Sequence, residues 1–418
     1  INERDIAGLG LPKLPRDWPR SIHGELVDRL VERCASTIIF DMDFQRPKVA
    51  EDDAAFARAV ADSERVVLFE RLNGKRQPMY DMNGELTGTI WVEELVPPIP
   101  ALADAAKALA PFPVPKVQVN VYRFWPFKPS AGDAPTMPSA ALQVHALPVQ
   151  AQWMEVLERA GAEGLDGLPR SQAEVGRASE VDQMMYRLRS AFILHPGLAD
   201  RVRAVLDSEW ARQALTGDEG RLIRALAGLY SGPDNRYLNF YGTPGSIPNI
   251  PYNAIIQGGS ATVSEAALDF TGKVVFVGFS DLYDPGQPDR FYTVFTNEDG
   301  VDLSGVEIAA TAFANLLTDR SLTPVGTWPT VVILMLVGLV LGTGIYLLPA
   351  IAAVPLALVI SGIYVAGVQT SFEALDLWLP LAIPMLVQLP LALFVGLLAQ
   401  YLTEARSRRQ LKSVFGQY

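Results

Sequence analysis

A single cysteine, Cys34, stands among 418 residues, so no intrachain disulfide can staple this chain. Its neighbours Leu30, Val31 and Ile38 predict a small buried apolar residue, and it carries no information about redox compartment. Histidine is nearly as scarce: His23, His145 and His195 lie far apart, none with a second histidine at metal-ligand spacing, which favours core or surface roles. No Walker sequence, dinucleotide fingerprint or GxSxG elbow is present. Positive charge is in deficit, 35 Lys+Arg against 46 Asp+Glu for a net of -11, which argues against a nucleic-acid partner. No basic-plus-apolar leader follows Ile1, and Phe415 to Tyr418 reads as the opening of something, so an interior piece of a longer protein is expected.

Charge all but vanishes between Arg320 and Glu404, where only Glu373 and Asp376 are ionised. Crossing a hydrocarbon core takes about 20 apolar residues. Three runs qualify, about 328–348, 351–368 and 377–401, in a membrane region over 325–402. The tight turn at Pro349 makes the first two an antiparallel hairpin. Arg406, Arg408, Arg409 and Lys412 follow the third run, whereas the loop before it holds only acids; residues 403–418 are therefore expected in the cytoplasm and residues 1–324 outside it. An uncleaved signal-anchor helix before Ile1 is the simplest partner for that topology.

The outer part reads as α/β. Leu26, Val27, Leu30, Val31 and Cys34 recur at helical spacing behind Ser21 as N-cap, and Thr37 to Phe40 is a buried strand. Glu51, Asp52 and Asp53 open a second helix with Phe56, Ala59 and Val60 on its inner face, and Val66 to Phe69 is the next strand. That order predicts a right-handed crossover and a parallel or mixed sheet. Val117 to Val121 and Tyr237 to Tyr241 read as further strands, and Gly272 to Gly278 as a buried strand followed by a long loop and a helix over 306–317. Residues 126–231 look like a helical insertion or subdomain, with helices at 152–160 and 181–194.

DMDF at Asp41 to Phe44 with EDDAAFARAVADSERVVL from Glu51, RYLNFYGTPGSIP from Arg236, GKVVFVGFSD from Gly272 and LSGVEIAATAFANLL from Leu303 resemble, in order, blocks of the CHASE type-2 (CHASE2) extracytoplasmic sensor domain. Three helices after the sensor and the exit segment VFGQY resemble the layout in which such a sensor feeds a class III adenylate cyclase, making cyclic AMP from ATP. The resemblance implies a dimeric bacterial receptor in the inner (plasma) membrane, with a homodimer partner, surrounding lipid and an extracytoplasmic ligand of unknown identity. Mg or Mn with ATP would belong to the cyclase beyond Tyr418, and no cofactor or catalytic residue is expected in these 418 residues. Related sensors serve histidine or Ser/Thr kinases, and a structural or transport protein without signalling output is the third reading. The long segment 126–231 and Phe279, where the family commonly has a small residue, depart from the pattern.

Asp41 and Asp43 end a parallel strand, where open α/β sheets gather ligands; a ligand role and a turn role both fit them. Ser280, Asp281 and Asp284, with Asp289, follow the Gly272 to Gly278 strand, at a spacing that suits a divalent cation and equally a plain polar loop. The two segments should converge in one sensing site. Gly338 with Gly342, and Gly362 with Ala366, form small-xxx-small steps for helix packing, within one chain or between two. Pro380, Pro384 and Pro390 favour a kinked third helix.

Overall fold

The computed structural model describes residues 1–114, 120–259, 263–280, 290–296 and 302–415. They fall into two compact units, Ile1–Ser321 and Leu322–Tyr418. In the first, strands β1 (Thr37–Phe40), β2 (Val66–Phe69), β5 (Ala108–Ala110) and β6 (Val274–Val277) make one parallel sheet in the order β6-β1-β2-β5. Strands β3 (Arg71–Tyr80) and β4 (Leu86–Val96) intervene as a separate antiparallel ribbon. Every side chain of β1 is buried, as a parallel sheet covered on both faces requires.

Alternation along the strands sorts the core into two layers. Ile38, Phe40, Val66 and Leu68 face the helices Ser21–Glu32 and Ala50–Ser63, which bury Leu26, Leu30, Phe56 and Val60. Ile39, Val67, Ala108 and Ala110 face the helices Met137–His145 and Gly305–Leu317, and behind these Gln150–Arg159, Ala178–Leu194, Leu198–Asp207 and Gly217–Ser231 extend the same core. Residues 126–231 thus cover one face of the sheet together with Gly305–Leu317. A fully buried side chain of this size contributes about 1.5–3 kcal/mol, so both layers are needed for stability.

Several expectations change in detail. Cys34 is exposed rather than buried, because the chain leaves the helix at Glu32 and turns through a left-handed conformation (φ 62°) at Cys34, carrying its side chain outward. Ser21 is the first helical residue, preceded by Arg20 without a side-chain cap. Of the 237–241 run only Tyr237 is in a strand, Arg236–Tyr237, paired antiparallel with Arg123–Phe124. Val117 and Val119 lie outside the described residues.

The second unit holds three helices long and apolar enough to cross a membrane: Thr327–Leu347, Ile351–Leu375 and Ile383–Ser407. The second runs past residue 368, and the third begins six residues later than expected. Leu377–Trp378 instead pairs in parallel with Thr323–Pro324, and the chain then enters a π-helical turn, Ile383–Gln388. Prolines 380, 384 and 390 have no N–H for a regular ladder, which accounts for that wide turn.

One buried ion pair secures the first layer. Arg20, 2 % exposed, donates from Nη1 to Asp53 Oδ1 at 2.9 Å, and Asp53 Oδ2 accepts from the Lys48 backbone N–H at 2.9 Å. Asp53→Ala leaves the guanidinium buried without its counter-ion. Thermal or urea unfolding should show a loss of about 3 kcal/mol, and an unchanged midpoint would mean that water reaches Arg20.

Candidate functional site at the carboxyl edge of the sheet

The strand order reverses between β1 and β6, the place where open α/β sheets leave a crevice beyond their carboxyl ends. A cleft of about 240 Å³ opens at that edge, lined by Asp41, Met42, Asp43, Phe69, Phe112, Val114 and Phe291. Each comes from a strand exit or its continuation: Asp41 to Asp43 leave β1, Phe69 ends β2, and Phe112 and Val114 follow β5. Phe291 belongs to the 279–305 segment, in a short antiparallel pair of Arg290–Phe291 with Leu303–Ser304. The predicted convergence of the β1 exit with that segment is thus present, through Phe291. Asp281, Asp284 and Asp289 lie outside the described residues.

The two aspartates differ in occupation. The Asp41 backbone N–H donates to Val277 O at 2.8 Å, locking the β1 exit to β6. The Asp43 carboxylate accepts from the Gln45 N–H at 2.9 Å and pairs with Arg71 at 3.7 Å, half exposed on both sides. Such partners make Asp43 a turn former that also ties the foot of β3 to the cleft. Five apolar side chains and two carboxylates would accept a small, partly apolar molecule with a cationic or hydrogen-donating end. Among the described residues no three His, Cys, Asp or Glu side chains come together as a metal cluster.

Ser280 is placed elsewhere. Its hydroxyl, in a side chain only 6 % exposed, accepts from Asn249 Nδ2 and the Ser304 hydroxyl, each at 3.1 Å, while its N–H donates to Ile1 O. His145 sits at the opposite strand edge, its Nδ1 2.9 Å from Ser36 Oγ just before β1, so no hydrolytic pair forms with Ser280. Ser304 in turn caps Gly305–Leu317, accepting from the Glu307 N–H at 3.4 Å. Ser280 therefore joins the end of β6 to the start of that helix.

Two further contacts hold the helix. Asn315 Oδ1 accepts from the Asn239 N–H at 2.8 Å, and Asn315 Nδ2 donates to Asn239 O at 2.9 Å. Glu307, buried, accepts from the Gly245 N–H at 2.9 Å. Burial raises its pKa and these backbone donors pull it back. Gly278 is tight as well, since a Cβ there would lie 2.8 Å from Val306. Sequence reasoning named neither Glu307 nor Asn315; a charged residue and an amide on a largely apolar helix were the available signal.

Next to Phe69, Glu70 is buried and its pKa is pushed up to about 7 by desolvation. Asp182, on Ala178–Leu194, is raised to about 7 by burial first and by the Glu70 charge second. His23 is the opposite case: neutral, lowered to about 3 by burial and then by Lys48 and Arg20, and ringed by Trp18, Phe40, Phe44, Phe56 and Tyr252.

In the membrane unit, a Cβ on Gly338 would touch the Gln388 amide at 3.4 Å, and Gln388 Nε2 donates to Leu334 O at 2.9 Å. Gly338 thus packs the first helix on the third of its own chain. Gly342 and Gly362 have open space where a Cβ would go, and Ala366 is exposed, so these three face away from the chain's own helices. The close approach that the sequence did not signal is Gly396 against Ile345, with Gln400 Nε2 donating to Ile345 O and Leu348 O at 2.7 and 2.6 Å.

With this geometry in hand, comparison with known families is decisive: the model of the CHASE2 domain matches residues 1–344. The chain belongs to the CHASE2 family. No curated protein and no solved structure matches it. The match includes the middle helices that cover one sheet face and reaches into the first apolar helix. CHASE2 is an extracytoplasmic sensor domain, and here its match runs into the first of three helices fit to cross a membrane, which makes this a membrane protein of the signalling-receptor type.

The raised carboxylates give a test of this CHASE2 domain. An acid whose folded pKa lies above its unfolded value stabilises the fold below the unfolded pKa and loses that contribution as pH rises through the folded one. The relevant window runs from about pH 4 to about pH 7. Melting temperature should therefore fall across it, and Glu70→Gln with Asp182→Asn should flatten the profile; a double variant with the wild-type slope would remove these groups as its cause.

Proposed function

We propose that this chain is the sensor and membrane-anchor part of a bacterial transmembrane receptor that regulates a class III adenylate cyclase lying beyond Tyr418. The observation that carries the proposal is the CHASE2 match over residues 1–344, which runs into the first of three membrane-length helices. The exit segment VFGQY, similar to the family's entry into a cyclase, supports that output over a kinase. In this reading the cleft at the carboxyl edge receives an extracytoplasmic ligand. Bound ligand acts by favouring one of two positions of the Arg290–Phe291 and Leu303–Ser304 pair, which leads into Gly305–Leu317; only nine residues, 318–326, then separate that helix from the first membrane helix. The anchor lies in the inner membrane with the basic residues after 404 in the cytoplasm, and cyclase sites shared between two chains require a homodimer. Mg or Mn with ATP is a property of the output domain, where two metal ions support the chemistry.

Orientation has a built-in reporter, because Cys34 is exposed in the sensor domain. A membrane-impermeant maleimide applied to intact spheroplasts should label wild-type Cys34. In a Cys34→Ser background it should label Ser371→Cys and spare Ser413→Cys. The reverse pattern would overturn the topology and the sensor reading with it.

Output is tested separately on the full-length protein in membranes, supplied with ATP and Mn or Mg. Cyclic AMP should accumulate. Its absence, with autophosphorylation in its place, would move the assignment to a kinase receptor.

A further inference from the structure

The β3–β4 ribbon lies outside the parallel sheet, and its distal half presents large apolar side chains to solvent. Its ladder runs in register from Arg71↔Val96 to Pro78↔Thr89, and a bulge after Met79↔Gly88 sets Tyr80 opposite Leu86. Alternation therefore puts Leu72, Arg76, Pro78 and Tyr80 on one face with Leu86, Thr89, Trp91, Glu93 and Leu95, and the apolar patch on it is Pro78, Tyr80, Leu86 and Trp91. Tyr80, Leu86 and Trp91 are 62 %, 63 % and 59 % exposed. The Trp91 indole lies flat across Gly74, where any Cβ would collide with it, so this face is smooth. A two-stranded ribbon with both faces in water is marginal by itself, and an exposed apolar patch of this kind marks a contact surface.

We infer that the Trp91 face of the ribbon packs against the same face of a second copy of this chain. Pro78 offers no N–H, which blunts β3 as a template for strand addition and leaves face-on packing as the available mode. Charge fits a two-fold arrangement. Most ribbon charges are already used: Arg71 with Asp43, Lys75 with Glu94, and Glu93 with Lys128. The Asp81 carboxylate is occupied by the Asn83 and Glu85 N–H groups of the turn. Arg76 and the Glu85 carboxylate have no ion-pair partner among the described residues. Along the ribbon Arg76, opposite Trp91, and Glu85, next to Leu86, lie on either side of the Pro78–Thr89 pair, so antiparallel stacking about a two-fold axis through that pair sets Arg76 of each copy toward Glu85 of the other.

Covering one such face removes on the order of 500–600 Å² per copy, about 1,100 Å² in all, the low end for a specific dimer. Copies held in one membrane meet at raised effective concentration, so a contact of that size suffices to align two sensors. The inference rests on the dimeric-receptor reading. It has a readout of its own, since a cross-link between ribbons needs no cyclase activity.

The test uses the full-length protein in native membranes. In a Cys34→Ser background, Thr89→Cys places a thiol on the Trp91 face near the proposed axis, and copper-phenanthroline should trap it as a disulfide-linked dimer. Adding Trp91→Glu should lower the yield at least tenfold with the melting temperature unchanged. Arg76→Glu should lower it as well, and Arg76→Glu combined with Glu85→Arg should restore it. Absence of the cross-link, a yield indifferent to Trp91→Glu, or failure of the charge swap to rescue would each overturn the contact. Quenching of a dye on Thr89→Cys by doxyl-labelled lipid would overturn it too, by placing the ribbon in the bilayer. Normal cyclase output without the cross-link would discard the ribbon contact while leaving the receptor reading intact.

Discussion

A parallel sheet must be covered on both faces, and β1 shows how strict that demand is: Thr37, Ile38, Ile39 and Phe40 are all buried, with neither face given to water. The helices Ser21–Glu32 and Ala50–Ser63, short and near in sequence, cover one side. The other needs the long stretch between β5 and β6, and that demand gives the middle helices their place in the CHASE2 domain. It also fixes the strand order. Once β5 is reached the chain returns across the sheet to set β6 beside β1, and the cleft lies beyond the exits of β1, β2 and β5, closed on one side by Phe291.

What could be read from the sequence follows the same physics. Strands buried on both faces are short apolar runs between turn signals, so Thr37 to Phe40, Val66 to Phe69 and Val274 to Val277 were recognisable, as were their parallel pairing and the membrane helices. The β3–β4 ribbon was not, because with both faces exposed it has no buried set to produce alternation, and Pro78 sits in its middle. Cys34 misled because its spacing continued a helix that had already ended at Glu32. The third membrane helix misled similarly: Leu377 to Leu381 is as apolar as a helix but is spent on a strand pair and the approach to a π-turn.

For the site, Asp41 and Asp43 were visible from their place at a strand exit, whereas Phe69, Phe112, Val114 and Phe291 were not. Three aromatic residues and a valine from three separated segments leave no local pattern, and only the sheet brings them together. Glu70 and Asp182 are a similar case, 112 positions apart, whose mutual influence depends on a helix packed beside the edge strand. The grip on Gly305–Leu317 is likewise made of long-range pairs, Asn239 with Asn315 and Gly245 with Glu307, drawn from the blocks that carried the family resemblance.

The small parallel pair of Thr323–Pro324 with Leu377–Trp378 has a mechanical meaning. The Thr323 N–H donates to Asp376 O at 2.9 Å and the Val325 N–H to Trp378 O at 3.2 Å, so the strand that enters the first membrane helix is stitched to the link between the second and third. Gln400 fastens the far end of the first helix to the third. Joined at both ends, these helices resist sliding past one another; a pull on residues 318–322 is shared among them, and the unit turns or tilts as one piece, like a key gripped by its bow.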